Sequence, residues 1–420
     1  MYDADAGIPT RRRPLLAVAA AALAALSIVT LPMARARAAT TLSISTTALP
    51  SATVGTVYSQ ALAASGGTSP YTWKVSAGNL PAGLSLSTDG LITGTPTVRG
   101  KATVTVTVTD AASATGSENT RLPVSSTALT VLAGADRFST AVAVSQKAYP
   151  ASGSAGAVVL ARADDYPDAL VGAPFAASKN APLLFASGNL LPEVTRTEIQ
   201  RVLPVGSTVY LLGGTSAIPD SVGTQLDGLG YIVVRLGGVD RYGTAVAVAD
   251  AIGDPSTVLL ATGTNFPDAL AAGPAATKVA GVVLLTNGAS LPVETSGYLT
   301  AHPGTDYAIG GPAAAADPAA TAISGADRYL TATAVASHFF TAPTTIGVAS
   351  GTTFADALAG GAFLAHAVGP LVLSDPKTLP ASTGGYLSAN AATLMTASLF
   401  GGTSALSAAV QTAVAVALGQ

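Results

Sequence analysis

Charge is scarce in this chain of 420 residues, at 10% of the total, yet two charged motifs are written three times each. The first is Gly, a small apolar residue, Asp, Arg, an aromatic, any residue, Thr. It reads GADRFST at 134–140, GVDRYGT at 238–244 and GADRYLT at 325–331, and places Asp136 and Arg137, Asp240 and Arg241, and Asp327 and Arg328 at equivalent points. The second sets an aromatic two residues before Asp-Ala-Leu: YPDAL at 166–170, FPDAL at 266–270 and FADAL at 354–358, giving Asp168, Asp268 and Asp356. Beyond Arg328 the only charged residues are Asp356, Asp375 and Lys377, so the third copy keeps these groups while shedding nearly all others. A guanidinium forks onto a carboxylate, and a carboxylate at a helix start meets free N–H groups and a favourable dipole. The expected arrangement is Arg328 paired with Asp356 or Asp327 inside its own repeat, with Thr331 in the first helical turn and Tyr329 packed beneath. The alternative use of Arg137, Arg241 and Arg328 is to present three equivalent sites to an anionic ligand at strand ends and helix N-termini.

Catalytic constellations are missing from the sequence. His302, His338 and His366 occupy non-equivalent positions and form no metal-ligand spacing with one another. There is no Cys, no Gly-x-Ser-x-Gly elbow and no phosphate-binding glycine loop after a strand. Three copies of one site serve multivalent binding better than catalysis. The expectation is therefore no catalytic residue, no metal and no cofactor, with an enzyme built on the repeats and a self-assembling surface-layer component as the competing readings.

The elements that position these groups follow from hydrophobic pattern. From residue 128 onward, short apolar runs such as GAVVLAR (156–162) and STVYLLGG (207–214) alternate with Ala-rich helical stretches such as PDALVGAPFAASKN (167–180). Runs apolar enough to be buried on both faces imply a parallel sheet covered by helices. Five landmarks recur in fixed order: the Asp-Arg motif, the Asp-Ala-Leu motif, an apolar strand, a Leu-Pro helix start (Leu191-Pro192, Leu291-Pro292, Leu379-Pro380) and a strand ending in Gly-Gly (213–214, 310–311, 401–402). The chain thus carries three tandem α/β modules, expected at 128–227, 231–316 and 321–420. The Gly-Gly pairs read as tight turns.

Ahead of them, 49–125 is all-β in pattern. ATVTVTVT (102–109) alternates strictly, with Val104, Val106 and Val108 on one face. Trp73 is expected in the core, LPAGLSLSTDGLITGTP (80–96) as two short strands around a turn, and Asp89 and Asp110 as turn residues in preference to calcium ligands. The segment is expected to form a small β-sandwich, with 39–48 as linker. Residues 1–38 read as a signal peptide: the basic RRRP at 11–14, an apolar stretch at 15–33, and ARARA at 34–38 with cleavage after Ala38. The sequence does not decide between the general and twin-arginine export routes. The formal net charge of −3 becomes more negative once Arg11, Arg12, Arg13, Arg35 and Arg37 leave with that segment, so the mature chain has no basic footprint for nucleic acid. No second apolar run is long enough to span a membrane.

GGTSPYTW (66–73), LPAGLSL (80–86) and GLITGTP (90–96) resemble the bacterial Ig domain family, which implies an Ig-like spacer or adhesive module whose ligand is a surface protein or carbohydrate. AGADRFSTAVAVS (133–145), LGGVDRYGTAVAVA (236–249) and SGADRYLTATAVA (324–336) resemble the cell wall-binding repeat 2 family of Gram-positive surface proteins. That resemblance implies Rossmann- or flavodoxin-like modules arranged as a pseudotrimer. It also implies a secreted protein held non-covalently at the cell surface by an anionic secondary polymer of the wall. The nine repeated residues Arg137, Arg241, Arg328, Asp136, Asp240, Asp327, Asp168, Asp268 and Asp356 are then expected to bind polymer or to stabilise the modules.

Overall fold

The structure, a computed structural model, describes residues 41–125 and 127–420; the expected signal peptide at 1–38 lies outside these residues. The chain is multidomain, with a strand-rich N-terminal region followed by alternating β and α elements. In the first region Gly100–Thr109 pairs antiparallel with both Thr115–Ser125 and Thr72–Ala77, and the short Ala52–Thr53 completes that sheet. Tyr58–Ala61, Leu91–Gly94 and Leu84–Leu86 form a second, three-stranded sheet. The alternation at 102–109 is realised: Val104, Val106 and Val108 are buried with Trp73 and Ile44. Gly90, at φ +88°, lies flat against the Trp73 indole, where a Cβ would sit 2.7 Å from Nε1. Asp110 is buried and accepts from the backbone N–H groups of Thr68, Ala112 and Ala114, so it organises a turn.

One expectation is corrected here. Within the segment read as linker, 39–48, Ser43–Ile44 pairs antiparallel with Ala64–Ser65, and Ile44 is buried. The Ser/Thr content suggested a spacer, but one β-branched side chain at the right register is enough to recruit the strand.

Beyond Thr127 the chain builds three four-stranded sheets, parallel throughout. The first runs, edge to edge, Leu183–Ala186, Ala157–Arg162, Thr208–Leu212, Ile232–Leu236. The second runs Val282–Thr286, Thr257–Thr262, Thr305–Ile309, Thr321–Ile323. The third runs Leu371–Ser374, Thr345–Ser350, Thr396–Phe400, Ala128–Leu132. The fourth strand of each sheet is the one that leads into the next Asp-Arg motif. The third sheet therefore takes its edge strand from the beginning of the first repeat, with Ala128–Leu132 in register against Thr396–Phe400.

Two sets of equivalent helices matter for the site. The motif helices are Arg137–Ala148, Arg241–Ile252 and Arg328–Phe339. The central helices are Gly172–Ser178, Pro267–Lys278 and Ala355–Ala367, and they pack on one another. Their approach explains the Ala and Gly content: a Cβ on Gly273 would stand 2.8 Å from that of Ala173, and Gly361 occupies the third equivalent place. Buried side chains from all three repeats form one continuous core. No helix among the described residues is long and apolar enough to cross a membrane.

Candidate functional site at the repeat junctions

Each Asp of the Asp-Arg motif is an N-cap. Asp136 Oδ1 accepts from Ser139 N at 2.7 Å, Asp240 Oδ1 from Tyr242 N and Gly243 N at 2.9 and 3.0 Å, and Asp327 Oδ1 from Tyr329 N and Leu330 N at 2.9 and 2.8 Å. This satisfies donors that the first helical turn leaves free. The backbone N–H bonds that Asp136 accepts, that of Ser139 first, hold its carboxyl below the usual range. The motif glycines are forced by proximity: a Cβ on Gly134, Gly238 or Gly325 would fall 2.3 Å from an atom of the helix's first turn.

The expected fork between Arg and Asp is not formed. Nη1 of Arg137, Arg241 and Arg328 donates instead to the carbonyl of Ala163, Gly263 and Gly351, at the end of the repeat's next strand. The charge is thus spent on a backbone carbonyl that the strand end leaves without a ladder partner, and the loop after the strand is tied to the motif helix. Tyr329 is partly buried, as expected, and Thr331 lies in the first turn.

Asp268 and Asp356 are partly buried in the first turn of their central helices, Asp168 likewise in the 3-10 turn Pro167–Val171 that leads into Gly172–Ser178, and each meets the following repeat. The Thr244 hydroxyl bonds to Asp168, Thr331 to Asp268, and Thr140 to Asp356. Those threonines in turn accept from the motif glycine: Gly238 N to Thr244 Oγ1 at 3.2 Å, Gly325 N to Thr331 Oγ1 and Gly134 N to Thr140 Oγ1 at 3.1 Å. The relay Gly N–H, Thr O–H, Asp carboxylate crosses every junction, and the third junction returns to the first repeat. Opposite the carboxylate stands the first glycine of each Gly-Gly pair. Gly213, Gly310 and Gly401 have φ of +100°, +86° and +101°, and a Cβ on them would lie 2.3, 2.1 and 2.5 Å from the Oδ2 of Asp168, Asp268 and Asp356. The glycine pairs are therefore seats for these carboxylates as well as turns.

A helix start was expected to favour the charged form of Asp356. Burial wins: desolvation raises the pKa of Asp168, Asp268 and Asp356, opposed by the threonine bond and by the arginine of the next repeat. Nearby, the rings of Tyr166, Phe266 and Phe354 cluster with centroids 5.4, 5.6 and 5.9 Å apart, Phe266 edge-on to the other two and Tyr166 tilted against Phe354, and the Arg137 guanidinium lies 5.7 Å from the centre of Phe354. The aromatic preceding each Asp-Ala-Leu thus has a common destination.

The histidines stay apart, His302 against Tyr298, His338 against Phe339 and His366 against Tyr149. Among the described residues no group of three or more His, Cys, Asp or Glu could hold a metal ion. Sequence reasoning missed the threonines as cross-repeat donors, although their recurrence in the motif was the signal. It also passed over Glu198, which is buried, accepts from Ser145 Oγ at 2.6 Å and is gripped by Arg201 through two contacts of 2.7 Å.

Comparison with known proteins places these features. The model of the family described as Cell wall binding domain 2 (CWB2) matches residues 131–223, 235–319 and 322–411, and that of the Putative Ig domain matches 40–125. N-acetylmuramoyl-L-alanine amidase LytC of Bacillus subtilis is 30% identical over 258 residues, covering 60% of this chain and 51% of the amidase. The Bacillus subtilis amidase enhancer is 32% identical over 160 residues, 38% of this chain and 22% of the relative. The chain thus spans about half, or less, of these relatives' length. Among solved structures, Cwp6 from Clostridium difficile aligns with a TM-score of 0.64 at 20% identity over 90% of this chain and 67% of that one. Cwp8 from the same organism aligns at 0.63 and 22%, over 76% and 59%.

Proposed function

The chain belongs to the Cell wall binding domain 2 family, in three consecutive copies, and from that premise we propose that it is an exported surface protein held non-covalently to a polymer of the cell wall. Residues 128–420 form the anchor, a pseudotrimer of flavodoxin-like modules. Its strand order of second, first, third, then fourth is that of doubly wound sheets. The Ig-like region ahead of it, near 49–125, is the displayed spacer or adhesive module. The partner is an anionic secondary polymer, met at the strand-end loops where the junctions lie. Asp136, Asp240 and Asp327 stabilise their own modules as helix caps and Asp168, Asp268 and Asp356 hold neighbouring modules together, while Arg137, Arg241 and Arg328 fix their own loops and keep further N–H donors for polymer.

The observation that carries this reading is the threefold family match, each copy bearing the Asp-Arg helix start. The chain acts by binding and not by catalysis, because its recurring polar groups are committed to caps, carbonyls and cross-repeat bonds. The test is co-sedimentation of the purified protein with isolated cell walls, before and after acid extraction of the secondary polymers. Binding to intact walls and its loss on extraction are expected; a protein that stays in the supernatant with intact walls refutes the anchor.

A further inference from the structure

The three junctions share the Asp–Thr relay, but their outer walls differ. At the end of the strand that follows each motif helix, the first repeat carries Arg162, Asp164 and Asp165. The second has Thr262, Thr264 and Asn265 there, and the third Ser350, Thr352 and Thr353. In the latter two the loop is closed by a neutral pair, Thr262 Oγ1 with Thr264 Oγ1 at 2.8 Å and Ser350 Oγ with Thr352 Oγ1 at 3.0 Å. In the first repeat the same closure is made by Arg162, whose Nε and Nη2 each lie 2.8 Å from Asp164. A polar cleft of about 200 Å³ opens beside it, between the first and second repeats.

Arg162 and Asp165 of the first repeat and Arg241 and Asp240 of the second line this cleft, with Asp168 and Ser216. The first four are all partly engaged. Asp164 takes two nitrogens of Arg162 and leaves Nη1; Gly263 O takes Nη1 of Arg241. Asp240 Oδ1 caps its helix and Asp165 Oδ1 accepts from Tyr166 N, leaving the second oxygen of each. Each of the two repeats therefore contributes one cationic donor and one anionic acceptor to the lining. A phosphodiester or carboxylate only accepts and would be repelled here by Asp165, Asp168 and Asp240, so the anionic groups of the polymer lie outside this cleft. A hydroxyl both donates and accepts, and vicinal hydroxyls match a donor–acceptor pair from each repeat. The volume is that of about one sugar ring, below the range typical of drug-sized ligands.

We propose that the cleft between the first and second repeats binds one uncharged monosaccharide residue through its vicinal hydroxyls, and that Arg162 and Asp165 make this junction the sugar-reading one. The inference rests on the wall-anchoring reading and names the group recognised. The other two junctions keep the relay and close the ring without a charged outer wall.

The test replaces the loop of the first repeat by that of the second: Arg162→Thr, Asp164→Thr and Asp165→Asn together. The Thr–Thr pair already closes this loop in the second repeat, so the fold is retained, and a far-ultraviolet melt checks it. Binding to isolated walls is expected to weaken about tenfold or more. Free hexoses and N-acetylhexosamines are expected to compete with walls for the unaltered chain, and inorganic phosphate at equal ionic strength is not. In the triple variant, grafting Thr262→Arg, Thr264→Asp and Asn265→Asp into the second repeat is expected to restore binding at the next junction. Unchanged affinity in the triple variant, or competition by phosphate alone, overturns this inference and leaves the anchor standing. Failure of the unaltered chain to bind walls overturns the anchor and this inference with it.

Discussion

Gly310→Ala puts a methyl group where the structure has room for none. Two costs can be worked out. Gly310 sits at φ +86°, ψ +158°, a region open essentially only to glycine, and forcing alanine there costs about 1–3 kcal/mol. The added Cβ would lie 2.1 Å from Asp268 Oδ2. The carboxylate must retreat from the Thr331 hydroxyl that crosses from the third repeat; a hydrogen bond to a charged group contributes about 1.5–3 kcal/mol. Together the substitution should destabilise the repeats by about 3–5 kcal/mol. A double-mutant cycle with Asp268→Ala separates the two parts. If the carboxylate clash is real, the double variant loses less than the sum of the single losses, by about 1–3 kcal/mol. The readout is urea unfolding followed by helical circular dichroism, since the one tryptophan, Trp73, lies in the Ig-like region and is silent on the repeats. Additivity to within about 0.5 kcal/mol would refute the reasoning and leave Gly310 as a backbone requirement alone.

Arg201→Ala strands the Glu198 carboxylate, which is 2% exposed; a loss of about 3–5 kcal/mol is expected, and Glu198→Gln in the same background should recover part of it in the same urea assay. Acid should act oppositely on the junction carboxylates and on Asp110. Burial raises the folded-state pKa of Asp168, Asp268 and Asp356, so their contribution to stability is full below the unfolded carboxylate pKa and is lost as pH rises through the folded value. Replacing all three by Asn should therefore flatten the pH dependence of repeat stability between neutral pH and about 4. Asp110 behaves in the reverse sense. The backbone bond from Thr68, with those from Ala114 and Ala112, lowers its pKa, so its contribution is present above the unfolded value and is lost as pH falls through the folded one. Trp73 fluorescence is expected to report acid unfolding of the Ig-like region while helical dichroism of the repeats persists; coincident loss of the two signals would contradict this.

Periodicity made the strands and helices legible, because a strand buried on both faces leaves no polar alternation. Ala157–Arg162 and Val282–Thr286 are buried almost throughout. The recurring Asp, Arg, Thr and Gly were visible as a pattern but not as partners. Spacing along a chain says that Arg328 and Asp356 belong to one repeat. It does not say that Asp356 faces Thr140 and Arg137 from the other end of the chain. The strand that opens each motif was not among the landmarks read from the sequence, and a short apolar run carries no record of which sheet edge it will occupy. The arginine fork failed for a related reason: a strand-end carbonyl has no side-chain identity, so composition cannot announce it as an acceptor.

Lending of strands between repeats, together with the mutual packing of the three central helices, ties the repeats into one closed unit. In a solenoid each added unit stacks on the last, and an array can be lengthened or shortened to tune valency. Here every sheet is finished by its successor, and Ala128–Leu132 finishes the last, while Gln420 Nε2 bonds back to Thr127 O at 2.6 Å. Deleting one repeat, or inserting a fourth, would break the mutual packing of the three central helices and force every lent strand to find a new sheet edge. Such a scaffold cannot strengthen its grip by duplication. It can diverge only by rewriting the loops of one junction while the others hold the circle shut.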